Sequence, residues 1–275
     1  MPPILLQLAA AALYLGLAAL SWRSRWRGPA LNRPAAELAG WERGGLLVAL
    51  LAHGGSLTTE LFAGGGMRFS FSIAISLIFW LAIAFYWIES FYTRMEGLQM
   101  FGLPAAAVGV LLPLIFPAQH LLMNADSPQF RAHFLIAMLA YSLFTLAALH
   151  AILMAVAEKG LHRGKLTPLL TSLPPLLTME ALLFRLIHIA FALLTLTLAS
   201  GILFSESLFG KALTFNHKTV FAIISWFIFA HLLWGRHFRG WRGRKALRWT
   251  LAGFAALVLA YVGSRFVLEV LLGRG

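Results

Sequence analysis

The chain is cut into long apolar runs, several of which reach or approach the roughly 20 residues needed to cross a bilayer core. No other feature restricts its fold as much. Inside hydrocarbon every backbone N–H and C=O must find a partner within the chain, so runs of this length fold as helices. The spans are expected at Ile4 to Leu20, Leu46 to Leu61, Phe69 to Ile88, Phe101 to Pro117, Ala132 to Ala157, Leu182 to Phe204, Thr219 to Trp234 and Thr250 to Leu272. Charged residues make up 12% of the sequence, about half the share of an ordinary soluble protein. The expected fold class is therefore all-α: a polytopic membrane helix bundle of about eight transmembrane helices, forming a single integral membrane domain over residues 1–275. Spans one to four occupy 1–125 and spans five to eight occupy 126–272. Pro104, Pro113 and Pro117 are expected to bend or end span four, and residues 167–178 are expected to form a loop.

The net charge of +12 does not point to nucleic acid, because the cations sit in alternate connections. Arg23, Arg25, Arg27, Arg33 and Arg43 follow span one, and Arg94 follows span three. Lys159, Arg163 and Lys165 follow span five, and Arg236, Arg239, Arg242, Arg244, Lys245 and Arg248 follow span seven. The other side holds only Arg68, Arg131, Lys211, Lys218, Arg265 and Arg274. The positive-inside bias then places the protein in a bacterial inner membrane with both termini on the outer, periplasmic side. The first apolar run has its basic residues after it, and so reads as a first span and not as a cleaved signal. No cysteine is present, which excludes disulfide, thiolate and thiol-exchange chemistry.

Nine histidines in so apolar a chain need a reason, since an ionisable residue within a span is costly and usually faces a partner or a ligand. His53, His120, His133 and His217 fall near the outer ends of their spans. His150, His188 and His231 fall toward the inner ends, and His162 and His237 lie in inner connections. His133 and His150, on one helix, are separated by about 25 Å at 1.5 Å per residue and cannot share one metal atom. Imidazole suits haem iron, and an aromatic, lipid-embedded pocket suits the macrocycle. Zinc fits less well without cysteine or buried carboxylates. For each histidine the plain alternative is a helix–helix hydrogen bond.

The stretch from Thr178 to Leu272 holds the most specific pattern. It runs through Phe184-Arg185, Leu193-Leu194-Thr195, Gly201, Lys218, Ala222-Ile223-Ile224-Ser225-Trp226 and Arg236. It ends with the turn Gly240-Trp241-Arg242-Gly243 and with Gly253-Phe254. This run resembles the cytochrome c assembly protein family, especially its small inner-membrane members of the YpjD and HemX type. The resemblance implies a haem-handling role in cytochrome c assembly or haem transfer, with haem b as cofactor, one or two per chain. It implies His133 and His188 as an axial pair, or each in its own site with His53 serving the outer one. Arg185 is implied at the haem propionates and His217 in the outer loop. That loop reads Phe215-Asn216-His217-Lys218 and lacks the tryptophans of the family's haem-presenting members. Expected partners are haem, membrane lipids and a membrane or periplasmic haem-acceptor protein. The second reading is a cofactor-free scaffold or regulator of haem biosynthesis or of an envelope partner. Transport is disfavoured by the near absence of central carboxylates, and no nucleophile and base are grouped for independent catalysis.

Overall fold

The computed structural model describes residues 3–23, 38–62, 66–93, 97–117, 121–122, 125–164, 170, 173–209 and 217–271. His120, the Gly64-Gly65 turn, Arg25, Arg27, Arg33, Arg94, Lys165, Lys211, Phe215, Asn216 and Arg274 lie outside the described residues. Among the described residues eight main helices follow in order: α1 Pro3–Ser21, α2 Gly40–Leu61, α3 Phe71–Glu89, α4 Gln99–Ile115, α5 Pro128–His162, α6 Leu176–Phe209, α7 His217–Arg239 and α8 Gly243–Val258. Beyond α8 the chain continues through wide π turns at Leu259–Gly263 and Val267–Leu271, separated by a short α segment at Ser264–Phe266.

Six of these helices, α1, α3, α5, α6, α7 and α8 with its extension, are long and apolar enough to cross a membrane. The other two fall short for identifiable reasons. α4 is apolar but only 17 residues long, and the apolar run of α2 is diluted by His53, Gly54, Gly55, Ser56, Thr58, Thr59 and Glu60. The chain is thus an all-α polytopic membrane bundle with six clear spans.

α5 is the centre of the bundle. It packs against α3, α6 and α8, while α1 packs on α2 and α4, α3 on α2 and α4, and α7 on α6 and α8. Phe144 of α5 stacks on Phe229 of α7 at 4.0 Å between ring centroids, both rings fully buried. Small residues allow the close approaches. A Cβ on Gly109 of α4 would meet Phe79 of α3 at 2.9 Å, and one on Gly253 of α8 would meet Phe229 at 2.8 Å.

Local chemistry sets the helix starts. Ser70 caps α3 by accepting from the Ile73 amide, and Ser127 caps α5 by accepting from the Phe130 amide, with Pro128 at the first helical position. This is the usual use of serine and proline at N-termini. α4 runs through both Pro104 and Pro113 and stops at Ile115. Each proline removes one backbone hydrogen bond near a helix end, where packing against α1 and α3 holds the helix together.

The starts of α6 and α8 depart from the sequence reading for a shared reason. α6 begins at Leu176 and not at Leu182, and α8 begins at Gly243 and not at Thr250. The same residue accounts for both. Glu180, which interrupts the apolar run of α6, is buried because Arg236, Arg242 and the Gly243 amide all converge on it. The arginine-rich connection shrinks accordingly to the turn Gly240–Arg242, with its other cations on the last turn of α7 and the first turns of α8. Gly240 and Gly243 have φ of +62° and +53°, the left-handed region that glycine enters without a Cβ penalty.

Both described chain ends lie at one end of the bundle. Gln7 of α1 donates to Glu60 at the end of α2 (3.4 Å), and Glu269 accepts from the Phe71 amide at the start of α3 (3.1 Å).

Candidate histidine sites

Hydrogen bonding sorts the membrane histidines by which ring nitrogen is committed. On α5, His133 is half-buried and its Nδ1 lies 2.8 Å from Ser200 Oγ of α6. Ser200 donates its own hydroxyl hydrogen to the Thr197 carbonyl (3.1 Å). With that hydrogen on Thr197, the imidazole donates at Nδ1 and Nε2 keeps its lone pair. Gly201 flanks the ring: a Cβ there would sit 3.5 Å from His133 Cε1. Phe134, next in sequence, meets Phe69 edge-on at 4.9 Å, and Phe69 lies 5.9 Å from Tyr261. The N-terminal end of α5 is thus bordered by aromatic rings from α5, the α3 entry and the α8 extension.

His188 repeats the pattern by a local route. Its Nδ1 is 2.6 Å from the Phe184 carbonyl one turn earlier. A carbonyl only accepts, so Nδ1 again carries the hydrogen and Nε2 the lone pair. The residue is exposed on α6. Three residues earlier, Arg185 is held by Glu89 of α3 through two contacts of 2.7 Å. Phe191, Thr195 and Trp226 lie further along: Trp226 donates to Thr195 Oγ1 (2.9 Å), and its ring centroid is 5.4 Å from that of Phe191.

His53 is different. It is completely buried, with Tyr14 Oη 3.3 Å from Nδ1 and Ser76 Oγ 2.9 Å from Nε2. Both nitrogens are engaged, and the residue ties α1, α2 and α3 together. His150 donates from Nε2 to the Met179 carbonyl (2.9 Å) and so joins α5 to α6, while its buried Nδ1 has no partner. His231 is packed among Trp234, Trp241 and Trp249. His217 is exposed at the first position of α7, beside Lys218, whose ammonium lies 5.7 Å from the Tyr261 ring.

The structure does not bring His133 and His188 together. His133 lies level with Ser200, and His188 is twelve residues before Ser200 on α6, a separation of about 18 Å along the helix axis. Among the described residues no three His, Asp or Glu side chains are grouped to hold a metal ion. What the arrangement offers is two separate imidazoles, each oriented through Nδ1 and open at Nε2. That orientation is typical of histidines that ligate through the other nitrogen.

Sequence reasoning did not anticipate Ser200, Glu89 or Glu180 as partners. Glu89 and Glu180 were visible as lone acids beside apolar runs, but nothing local indicated the arginines they meet. Ser200 carried no signal at all, being one small residue in an apolar helix.

Comparison with known proteins places this geometry in context. Residues 46–272 match the family model described as cytochrome C assembly protein. The inner membrane protein YpjD of Escherichia coli K12 is 29% identical over 237 residues, covering 84% of this chain and 89% of that protein. An Azospirillum brasilense protein described only as an uncharacterized 28.8 kDa protein is 34% identical over 143 residues, covering 51% of this chain and 52% of its own length. The cytochrome c biogenesis protein CcsA of Gloeobacter violaceus is 32% identical over 98 residues, 36% of this chain and 29% of that protein. No solved structure matches.

Proposed function

Because the chain belongs to the cytochrome C assembly protein family and is a multi-pass inner-membrane protein, we propose that it binds haem b and handles or transfers it in a cytochrome c assembly-like role. The observation that carries this reading is the shared state of His133 and His188, each fixed through Nδ1 with Nε2 left open. The distance between His133 on α5 and His188 on α6 favours two sites, one imidazole each, over a single axial pair. His53 would reach iron only by giving up Tyr14 or Ser76. Arg185 would serve a propionate by exchanging the Glu89 carboxylate for another, a substitution that suits the guanidinium fork. His217, at the exposed start of α7, would stand at the outer rim. Haem, once bound, supplies any redox chemistry; this chain contributes ligands, orientation and a largely apolar setting. A periplasmic or membrane acceptor protein completes the proposed role.

The proposed topology has eight crossings, with α2 and α4 spanning inside the bundle, both termini periplasmic and the α7–α8 turn cytoplasmic. The absence of cysteine makes this simple to test. Single cysteines at Gln129 and Lys159 should react with an impermeant maleimide from opposite sides of the membrane, and labelling from the same side would refute the topology.

The functional test is an absorption spectrum of detergent-purified protein, oxidised and reduced, for the wild type, His133→Ala and His188→Ala. A Soret band with sharp reduced α and β bands, diminished in each variant, is expected. No band after haem has been supplied would overturn the proposal and leave the scaffold reading.

A further inference from the structure

The end of the bundle that carries the α7–α8 turn also contains a crevice of about 480 Å³ between the last turns of α5 and the first turns of α8. Lys159 and Arg163 enter it from α5, and Arg244 and Arg248 from α8. The wall includes Leu247, which is buried, and Leu251, which is half-buried, one turn apart on α8. Among the described residues Glu158 is the one acid lining it, and His162 lines it as well. Among the described residues none of the four cations forms an ion pair. Their neighbours on the same turn behave otherwise, since Arg236 and Arg242 are committed to Glu180.

A topological signal needs positive charge only somewhere in a connection. It does not need cations from helices some eighty residues apart to line one crevice. Like charges gathered in this way repel unless an anion lies among them. The order of groups also matters. On α8 the lining residues follow as Arg244, Leu247, Arg248 and Leu251, so a cation stands outermost at the helix end and Leu251 lies furthest toward the middle of the helix. Phosphate followed by hydrocarbon is the order of groups in a phospholipid, and basic clefts between transmembrane helices are suited to acidic head groups. Free phosphate would use the cations and leave the leucine wall without a function.

We propose that this crevice is a binding site for an anionic membrane phospholipid, with its phosphate held by Lys159, Arg163, Arg244 and Arg248 and its acyl chain lying along Leu247 and Leu251. The site is independent of the haem reading.

The test uses the full-length protein in mild detergent, given equal amounts of phosphatidylglycerol and phosphatidylethanolamine and examined by native mass spectrometry. The wild type should retain phosphatidylglycerol in preference, and Arg244→Gln combined with Arg248→Gln should lower that retention by about fivefold for each arginine removed. Arg131→Gln, at the opposite end and paired with Asp126, should leave it unchanged. Leu251→Gln retains every cation and should also weaken lipid retention. Equal retention of the two lipids, or an unchanged preference in the double arginine variant, would overturn the site. Stabilisation by inorganic phosphate as large as that by the lipid would overturn the lipid assignment in favour of a soluble anion.

Discussion

Ser200 passes its hydroxyl hydrogen to Thr197 and receives one from His133, 67 residues away on the neighbouring helix. A single small side chain thus selects the tautomer of the imidazole and fixes the direction of its free nitrogen. Ser200→Ala removes the acceptor and releases the ring. Loss of a supporting hydrogen bond to a metal-ligating histidine typically costs about 10–100-fold in affinity. Haem titration should therefore show weakened binding at the His133 site with an unchanged His188 site. Equal titration curves for wild type and variant would remove Ser200 from any positioning role.

His53 makes a contrasting case. With Tyr14 and Ser76 on its two nitrogens, His53→Phe leaves two buried hydroxyls without their partner. Each should cost about 1–3 kcal/mol, seen as a lower unfolding temperature in detergent. Haem absorbance per folded protein should not change. A lost or shifted Soret band in this variant would instead place His53 at iron.

Glu180 holds the α7–α8 turn from the side of α6. Its carboxylate meets Arg236 at 2.5 Å and the Gly243 amide at 3.3 Å. Glu180→Ala leaves Arg236, mostly enclosed and lying over the Phe184 ring, without its counter-charge. A penalty of roughly 3 kcal/mol is expected, at the lower end of the range for a broken buried pair because Arg236 keeps some solvent contact. Limited proteolysis should then cut between Arg239 and Arg244, where the wild type resists.

The two glycines of that turn should respond according to backbone geometry. Gly240→Ala meets no neighbouring side chain, so its cost of about 1–2 kcal/mol should come from the left-handed conformation alone. Gly240→Asn should recover part of that loss, since asparagine tolerates this region better. Thermal unfolding of the three proteins in one detergent checks the order, and an alanine variant as stable as the wild type would contradict the positive φ.

Much of the bundle was legible in the apolar runs, because hydrocarbon forces helix formation on any such run. The helix ends were not. Glu180 reads locally as the edge of a loop, and only Arg236 and Arg242, more than fifty residues later, make its burial tolerable. The cations of α8 likewise read as a long connection, and it is the two left-handed glycines that compress it into a turn. The histidines could be placed by depth, since rise per residue is fixed, but their partners could not be named. His133 and Ser200 meet through packing, and no periodicity announces which hydroxyl faces which ring. The turn Gly240–Gly243 was recognisable as a motif, and its physical basis became apparent only with Glu180 beneath it.

The bond between Glu269 and the Phe71 amide joins residues 198 positions apart. A chain made from its N-terminus exposes the first turn of α3 long before the carboxylate that meets its Phe71 amide. The Phe71 amide therefore waits for this partner until the segment beyond α8 has been made, and that segment acts as a latch on the start of α3. Loss of Glu269 would be felt first at the start of α3, in the half of the protein already built.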